Sequence, residues 1–572
     1  MITLRNNWER AFDVPTRAEV EALLPAFLMS ARWFGGKAKT IGSAHFSDVL
    51  PIDLGHVSMV LCFVEVSYTE GGVDTYTVPL TAALEEQADR VVRDHANAVI
   101  GSLNVVRPQG NQRGVLYDAL WNEDCANSLL SSMGRRAQFR GSAGTLVGSS
   151  TALFNDISLS QGITPASVMK AEQSNTSVKF GDRVIMKLYR RVEPGVNPEL
   201  EIGRTLTARN FGHSPALVGA LEYTRGNNEP LTLALAQMFI PNQGNAWEYT
   251  LSQLSRYFDT ISELDPKHIP SEPGSLTALN SLARTDDPFH GFIDEARLLG
   301  CRTGELHMVL GQTSRDPAFA PESCGSSYVQ SRVQTMRRSA TQALTTLRTR
   351  LATLNESGRE QGRQVLGQEQ AILNRLGALE RAPLTAMRIR CHGDYHLGQV
   401  LSTGHDFVII DYEGEPAKPL HERRAKHIPL VDVAGMIRSF HYAVHAALRQ
   451  RLAPQTAEPA TQWLAIWAEH WYDSVRTAFL NGYEAIAGQA PFSPQSQEEF
   501  QLLLDVLVLD KALYELTYEL NNRPDWVALP LSGILQCVRP STDSGNQGDR
   551  AEHTGTARDP SAAGRSRNEV PQ

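Results

Sequence analysis

The sequence predicts an α+β fold, with two β-rich sections in the first half of the chain and a largely helical second half. Three observations predict it. The stretches His56–Ser67 and Val73–Leu80 are rich in β-branched and aromatic residues and are separated by the turn signal Glu70-Gly71-Gly72. A second group follows at Ser167–Gln173, Ser177–Phe180 and Val184–Tyr189, with Gly181-Asp182 making a tight connection. From Trp247 to Ala386 the apolar spacing is mostly helical.

Residues 1–95 read as a first unit, a short helical start followed by strands. Residues 96–240 hold an intermediate region, in which helices are expected between Val91 and Ser150, and then the second β-rich section. Its hairpin-like strands close over a loop of small polar residues, which suits a nucleotide-covering lid. A helix follows Asn197, with Leu200, Gly203, Leu206 and Thr207 on one face, and a strand at Leu231–Ile240 ends in the loop Pro241-Asn242-Gln243-Gly244. Residues 241–540 form the helical unit, including a long helical hairpin over Ser327–Leu376, short strands from His392 to Asp411, and helices from Val431 to Asn522. Residues 541–572 have almost no large apolar side chains and are expected to be disordered.

The composition sets outer bounds. A chain of 572 residues exceeds one ordinary core. Its 42% hydrophobic and 20% charged residues are those of a soluble globular protein. The net charge of −9, from 54 basic and 63 acidic residues, argues against nucleic acid as the main partner. No apolar run reaches the roughly 18 residues that a membrane span needs. Met1–Arg10 carries both charge signs and no apolar stretch, so no secretory signal is expected. The six cysteines are scattered without CxxC pairs, which fits a reducing cytoplasm better than a zinc site or a disulfide framework.

The chemistry concentrates in Cys391–Glu415, CHGDYHLGQVLSTGHDFVIIDYEGE. Phosphoryl transfer asks for a carboxylate that accepts the attacking hydroxyl's proton, and for oxygen ligands that hold Mg²⁺ against the phosphates. Asp394, Gln399 five residues later, and Asp411 after the apolar strand Phe407–Ile410 supply that set. The spacing matches a kinase catalytic loop, with Asp411 where the D-F-G aspartate stands. Asp394 is read as the base, Gln399 and Asp411 as the metal ligands, and His392 as a brace.

The ATP side is expected upstream. Lys187 stands alone in the apolar strand VIMKLY, where an unpaired ammonium is costly. It is read as contacting the α/β-phosphates of ATP, paired with Glu201 or, as the alternative, Glu199. The loop Gln173–Ser177, with Ser174, Asn175 and Thr176, stands where a glycine-rich loop would, without its glycines. Gln237–Ile240, including Gln237 and Phe239, is read as the hinge touching adenine. Gly35-Gly36-Lys37 is not a P-loop, because Ala31 and Ala38 occupy the first-glycine and Ser/Thr positions.

These residues resemble the maltokinases, which make maltose 1-phosphate from maltose and ATP. The resemblance covers residues 20–535. It rests on RWFGGK at Arg32–Lys37, EQSNTSVKFGD at Glu172–Asp182, NPELEIGR at Asn197–Arg204 and PNQGNAWEYT at Pro241–Thr250. It continues in HGDYHLGQVL at His392–Leu401, the long DYEGEP segment Asp411–Phe440, and LDKALYELTYELNNRPDW at Leu509–Trp526. The resemblance implies a bilobal protein-kinase-like fold with an N-terminal cap domain in residues 1–95, ATP and Mg²⁺ as cofactors, a role in α-glucan (glycogen) synthesis, and association with a trehalose synthase. Asn245 departs from it, standing where an acid is expected.

On the sugar side, Lys511, Tyr514, Glu515, Tyr518 and Asn522 share one helix face by spacing. They form either an acceptor wall or a solvated face with a Lys511–Glu515 pair. His396 either reaches the sugar or buttresses the loop. Glu413 and Glu415 either bind the sugar or hold Arg423-Arg424, and Arg438 is a further sugar candidate. The run His421–Lys426 is either a solvated charged face or a cluster that steers ATP. An amino-sugar or aminoglycoside acceptor is the alternative substrate and would want free carboxylates around Asp394. A nucleotide-binding protein without turnover is a third reading.

Overall fold

The computed structural model describes residues 1–53, 58–158, 165–169, 174–263, 288–452 and 458–539. The expected disorder of 541–572 lies outside the described residues.

A first seven-stranded sheet is built from the N-terminal third. Its order is Ile2–Arg5, Val99–Arg107, Gly110–Asp118, Val73–Leu84, Ser58–Tyr68, Ile41–Asp53, with the short strand Arg191–Val192 also pairing onto Val73–Leu84. The Ser58–Tyr68/Val73–Leu84 hairpin turns on Gly71 and Gly72, both at φ +92°, a conformation that costs glycine little. One face is covered by the helices Val14–Glu21 and Leu24–Ser30, which bury Val20, Leu24, Phe27 and Leu28 with Val60, Cys62 and Val64.

Two expectations change here. The helices anticipated from Val91 onward are in part a hairpin, Val99–Arg107 and Gly110–Asp118, before the helix Glu123–Gly134. The register shifts between Val99 and Gly101, so the buried side chains Ile100, Leu103 and Val105 lose strict alternation and the strand period is obscured. The first sheet therefore runs to Asp118, past residue 95.

A second seven-stranded sheet, antiparallel throughout, runs Gln138–Arg140, Thr145–Ser150, Leu217–Thr224, Leu231–Met238, Val184–Leu188, Thr176–Phe180, Ala166–Val168. Its hairpin Thr176–Phe180/Val184–Leu188 turns through Gly181 at φ +53°. The helix Pro198–Ala208 follows, capped by the Asn197 side chain, which accepts from the Glu199 N–H.

The second half is helical, around one large apolar core. Helices Pro288–Leu310 and Glu458–Ala487 come together at glycines. A Cβ on Gly300 would lie 2.0 Å from the Phe479 carbonyl, and one on Gly482 2.0 Å from the Arg297 carbonyl. Helix Leu430–Arg451 runs through the core, and Ser326–Arg350 packs on Gln497–Asn522. Between these helices the short hairpin Val400–Ser402/Phe407–Ile409 carries the loop Cys391–Gln399 on one side and Asp411 on the other.

No described helix is long and apolar enough to cross a membrane. The six cysteines are free thiols.

Candidate active site

The loop Cys391–Asp394 is held by a buried carboxylate. Asp432, 1% exposed in the first turn of Leu430–Arg451, accepts the His392 N–H at 2.8 Å and the Gly393 N–H at 2.9 Å, and lies 3.0 Å from His307 Nε2. Burial alone would raise this carboxyl, but the His307 hydrogen bond and nearby imidazoles outweigh it and keep it low. The His392 ring braces the loop as expected. Its Nε2 lies 2.9 Å from the Ile410 carbonyl, so it donates there, while Nδ1 accepts from the Asp394 N–H at 3.4 Å. One imidazole thus fixes Asp394 relative to the strand that delivers Asp411.

Asp411 adopts φ +64°, a left-handed conformation unusual for a non-glycine residue and common where a site stores strain. That backbone turn aims its carboxylate at Lys187, 2.6 Å away. Lys187 is also 2.9 Å from Glu199 and 2.6 Å from Glu413. Burial opposes its charge, yet the three carboxylates outweigh that and hold the ammonium protonated. Gln399 Nε2 donates to the second oxygen of Asp411 at 2.9 Å.

The sequence-predicted pair is corrected here. Glu199, not Glu201, meets Lys187, because it shares a helix face with Ile202, Gly203 and Leu206, all buried. Glu201 points elsewhere and binds Arg390 at 2.7 Å and Arg424 at 3.0 Å. Glu413 is also corrected. Instead of reaching a sugar it faces Lys187, accepts from Asn175 Nδ2 at 2.8 Å, and lies 3.9 Å from Arg423. The run His421–Lys426 is only partly a solvated face, with His421 and Glu422 exposed. Arg424 binds Glu201 of helix Pro198–Ala208, and Lys426 is buried on the Pro317 and Ala320 carbonyls and Glu322.

Burial pushes the Glu199 carboxyl up to about 7, despite the opposing pull of Lys187. A carboxyl raised in the folded state contributes stability that is fully present below its ordinary value of 4.5 and is lost as pH rises through about 7. Glu199→Gln should remove that loss. Chemical denaturation at about pH 5 and about pH 8 should show a smaller fall for the variant than for the wild type. Equal falls would detach Glu199 from this titration.

The other nucleotide-side predictions divide. Asn175 bridges to Glu413 and so joins the cluster, whereas Ser174 is exposed at the loop. Thr176 does not, because its hydroxyl accepts from buried Arg190 at 2.8 Å. Gln237 is registered between Ile185 and Leu217 in the sheet, and the Phe239 N–H already donates to the Arg183 carbonyl at 2.7 Å. That donor is taken, so Phe239 cannot offer it to adenine.

Asp394 opens instead onto a cavity of about 860 Å³. Lys511 lies 3.5 Å from Asp394 and 4.0 Å from Glu415, and Tyr514 donates to Glu415. The predicted wall at Lys511 and Tyr514 thus lines the cavity, with Glu415 added. The expected Lys511–Glu515 pair does not form, because Glu515 binds Arg438 at 2.7 Å. Arg438, 1% exposed, is thereby corrected from a sugar contact to a buried tie between helices. Tyr518 is 46% exposed, lies beneath the Arg523 guanidinium, and is not part of the cavity wall. His396 accepts from the Gly398 N–H at 3.1 Å and stands 4.0 Å from Asp394, which favours its buttressing role.

Sequence reasoning missed Asp432 and the polar residues of Ser326–Arg350 that line the cavity. Asp432 had a signal, a lone charge in the apolar run Leu430–Met436. The helix had none, since its polar face looks solvated in sequence.

The chain can now be compared with known proteins. Residues 27–121 match the maltokinase N-terminal cap domain. A glucosamine kinase of Mycolicibacterium smegmatis is 24% identical over 379 residues, covering 65% of this chain and 79% of the relative. A glucosamine kinase of Streptacidiphilus jiangxiensis is 23% identical over 363 residues, covering 63% and 70%. The solved structure of a glucosamine kinase in complex with glucosamine, ADP and inorganic phosphate superposes with a TM-score of 0.58 at 18% identity, covering 90% of this chain and 98% of that one. Residues 27–121 thus resemble a maltokinase cap domain, and the two sheets with the helical lobe share an α+β fold with that glucosamine kinase.

Proposed function

We propose that this protein transfers the γ-phosphoryl group of ATP to a sugar hydroxyl, with maltose as the acceptor and maltose 1-phosphate as the product. The observation that carries the reading is the division of the site. Asp394 faces an open cavity, while Asp411, braced from the same loop through His392, faces the buried Lys187. The sugar oxygen attacks the γ-phosphorus, the bond to the β-bridging oxygen breaks, and ADP leaves with that electron pair. Asp394 accepts the hydroxyl proton. Lys187 binds phosphate oxygens, and Glu199 keeps its ammonium in place.

The donor set fits Mg²⁺. One ammonium faces three carboxylates, whose oxygens with Glu199, Asp411 and Glu413 lie within 4.8 Å of one another, so negative charge is in excess. Asp411 and Gln399 would hold the ion once the amide presents its oxygen, and Glu413 adds a carboxylate beside them. When bound, the ion supplies charge neutralisation to the phosphates. Asp411→Ala should raise the Mg²⁺ concentration needed for half-maximal turnover as well as lowering the rate. An unchanged Mg²⁺ dependence would remove Asp411 from the metal site.

Glucosamine is the second reading, favoured by the glucosamine kinases this chain resembles. Lys511 beside the base weighs against it, since a cationic acceptor would meet an ammonium there. Two of the carboxylates that line the cavity with Asp394 are also engaged rather than free, Glu415 by Tyr514 and Asp510 by Arg332. The cap-domain match favours maltose, and the place proposed with it is before α-glucan (glycogen) assembly in the cytoplasm, with a trehalose synthase as partner. ADP release from ATP and Mg²⁺ should be stimulated by maltose above glucose, glucosamine, trehalose and an aminoglycoside. Stimulation by glucosamine alone would overturn maltose and keep the mechanism. No stimulation by any acceptor would overturn the kinase reading.

A further inference from the structure

Helix Ser326–Arg350 forms the cavity wall opposite Lys511 and Tyr514. Thr335, Arg338, Ser339 and Gln342 fall at spacings of three, four and seven, so they share one face, and all line the cavity. The opposite face is committed to the core through Val333, Met336, Ala340, Ala343 and Leu344. A polar helix face is usually a solvated one, and these four side chains are exposed, but they line the same cavity as Lys511 beside the base.

Arg338 differs from its neighbours. Arg332 is held by Asp510 at 2.7 Å, Arg337 by Glu380 at 3.3 Å and Arg348 by Glu369 at 2.9 Å. Among the described residues no carboxylate pairs with Arg338, which makes only long contacts within its own helix, 3.4 Å to the Gln334 carbonyl and 3.3 Å to Thr335 Oγ1. Its guanidinium is a planar fork of donors on a cavity wall whose carboxylates, Asp394, Glu415, Glu422 and Asp510 among them, do not pair with it. Vicinal hydroxyls of a sugar ring are neutral acceptors that such a fork can bind two at a time. Ser339, Thr335 and Gln342 add donors and acceptors on the same stripe.

We propose that this stripe is the subsite for the second ring of a disaccharide acceptor, the ring that does not react, and that Arg338 is its specificity-determining residue. The inference rests on the sugar-kinase reading and adds the part of the site that tells a disaccharide from a monosaccharide. The reacting ring would lie in the cavity beside Asp394 and Lys511. Binding at the stripe acts on affinity and leaves the proton transfer untouched, so its loss falls on KM and spares kcat.

The test is steady-state ADP release by the full chain and by Arg338→Ala, Arg338→Lys and Gln342→Ala. Measured quantities are the KM for maltose, the KM or inhibition constant for glucose, and the KM for ATP. Arg338→Ala should raise the maltose KM about 10-fold or more, with kcat within about twofold and the glucose and ATP constants unchanged. Arg338→Lys should recover only part of the loss, because an ammonium lacks the fork. A maltose KM that does not move, or a glucose constant that moves equally, would overturn the subsite while leaving the kinase standing. A wild-type protein that uses only monosaccharides would do the same. A wild-type protein stimulated by no sugar would overturn the kinase reading and the subsite with it.

Discussion

Asp394→Asn should lower turnover by roughly 10²–10⁴-fold, the range that a positioned general base contributes, while ATP affinity stays near the wild-type value. The asparagine has nearly the same shape and still accepts a hydrogen bond, but it cannot take the hydroxyl proton. The cluster of Lys187, Glu199, Asp411 and Glu413, proposed above to hold the nucleotide, uses none of its atoms. Lys511, 3.5 Å away, loses one anionic neighbour but keeps Glu415 at 4.0 Å, so the cavity keeps its form. Single-turnover kinetics beside nucleotide titration separates the two effects. Near-normal turnover would remove Asp394 from the proton transfer, and an equal collapse of ATP binding would make it a structural residue instead.

Asp432→Ala should cost the fold about 3–5 kcal/mol, the scale for breaking a buried charged partnership. The His392 and Gly393 N–H groups and the His307 ring would all lose their acceptor in the core, and each buried unsatisfied group costs about 1–3 kcal/mol. Partial relaxation keeps the total below a simple sum. Because that variant risks failing to fold, Asp432→Asn is the informative companion. It keeps one acceptor oxygen and the packing volume but turns a donor toward the loop. Thermal denaturation should show it folded, with kcat reduced and ATP affinity kept, since the loop carrying Asp394 is what loosens. Wild-type kcat in the folded asparagine variant would show that the loop is positioned without this carboxylate.

The site was most legible where chemistry forces residue type into short spacing. Gln399 and Asp411 needed only a loop and one strand to meet, and they do, while His392 links the Asp394 backbone to the same strand. Lys187 announced itself as the charge in an apolar strand. Its partner was misassigned because Glu199 and Glu201 are two residues apart and so point to nearly opposite sides of the helix. The choice follows from which side packs inward, and the helix's apolar residues carried that signal. Glu413 was placed on the wrong side of the active site for another reason. Asp411 takes a left-handed turn at φ +64° and Gly414 follows at φ +70°, so side-chain direction through this segment does not follow a strand or helix period.

The sequence by itself determined the α+β division, the spacing of Asp394, Gln399 and Asp411, and the buried charge at Lys187, because each rests on local period or on a residue type that burial would otherwise punish. Tertiary structure alone decided what the long-range contacts share out. It gave Arg438 to Glu515, Arg424 to Glu201 and Tyr514 to Glu415, and it set one polar helix face across a cavity from Lys511. An arginine or glutamate on a helix surface has many partners open to it at similar cost. Only the packing of helices distant in sequence brings one of them within hydrogen-bond reach, and that packing is set by the apolar faces behind them.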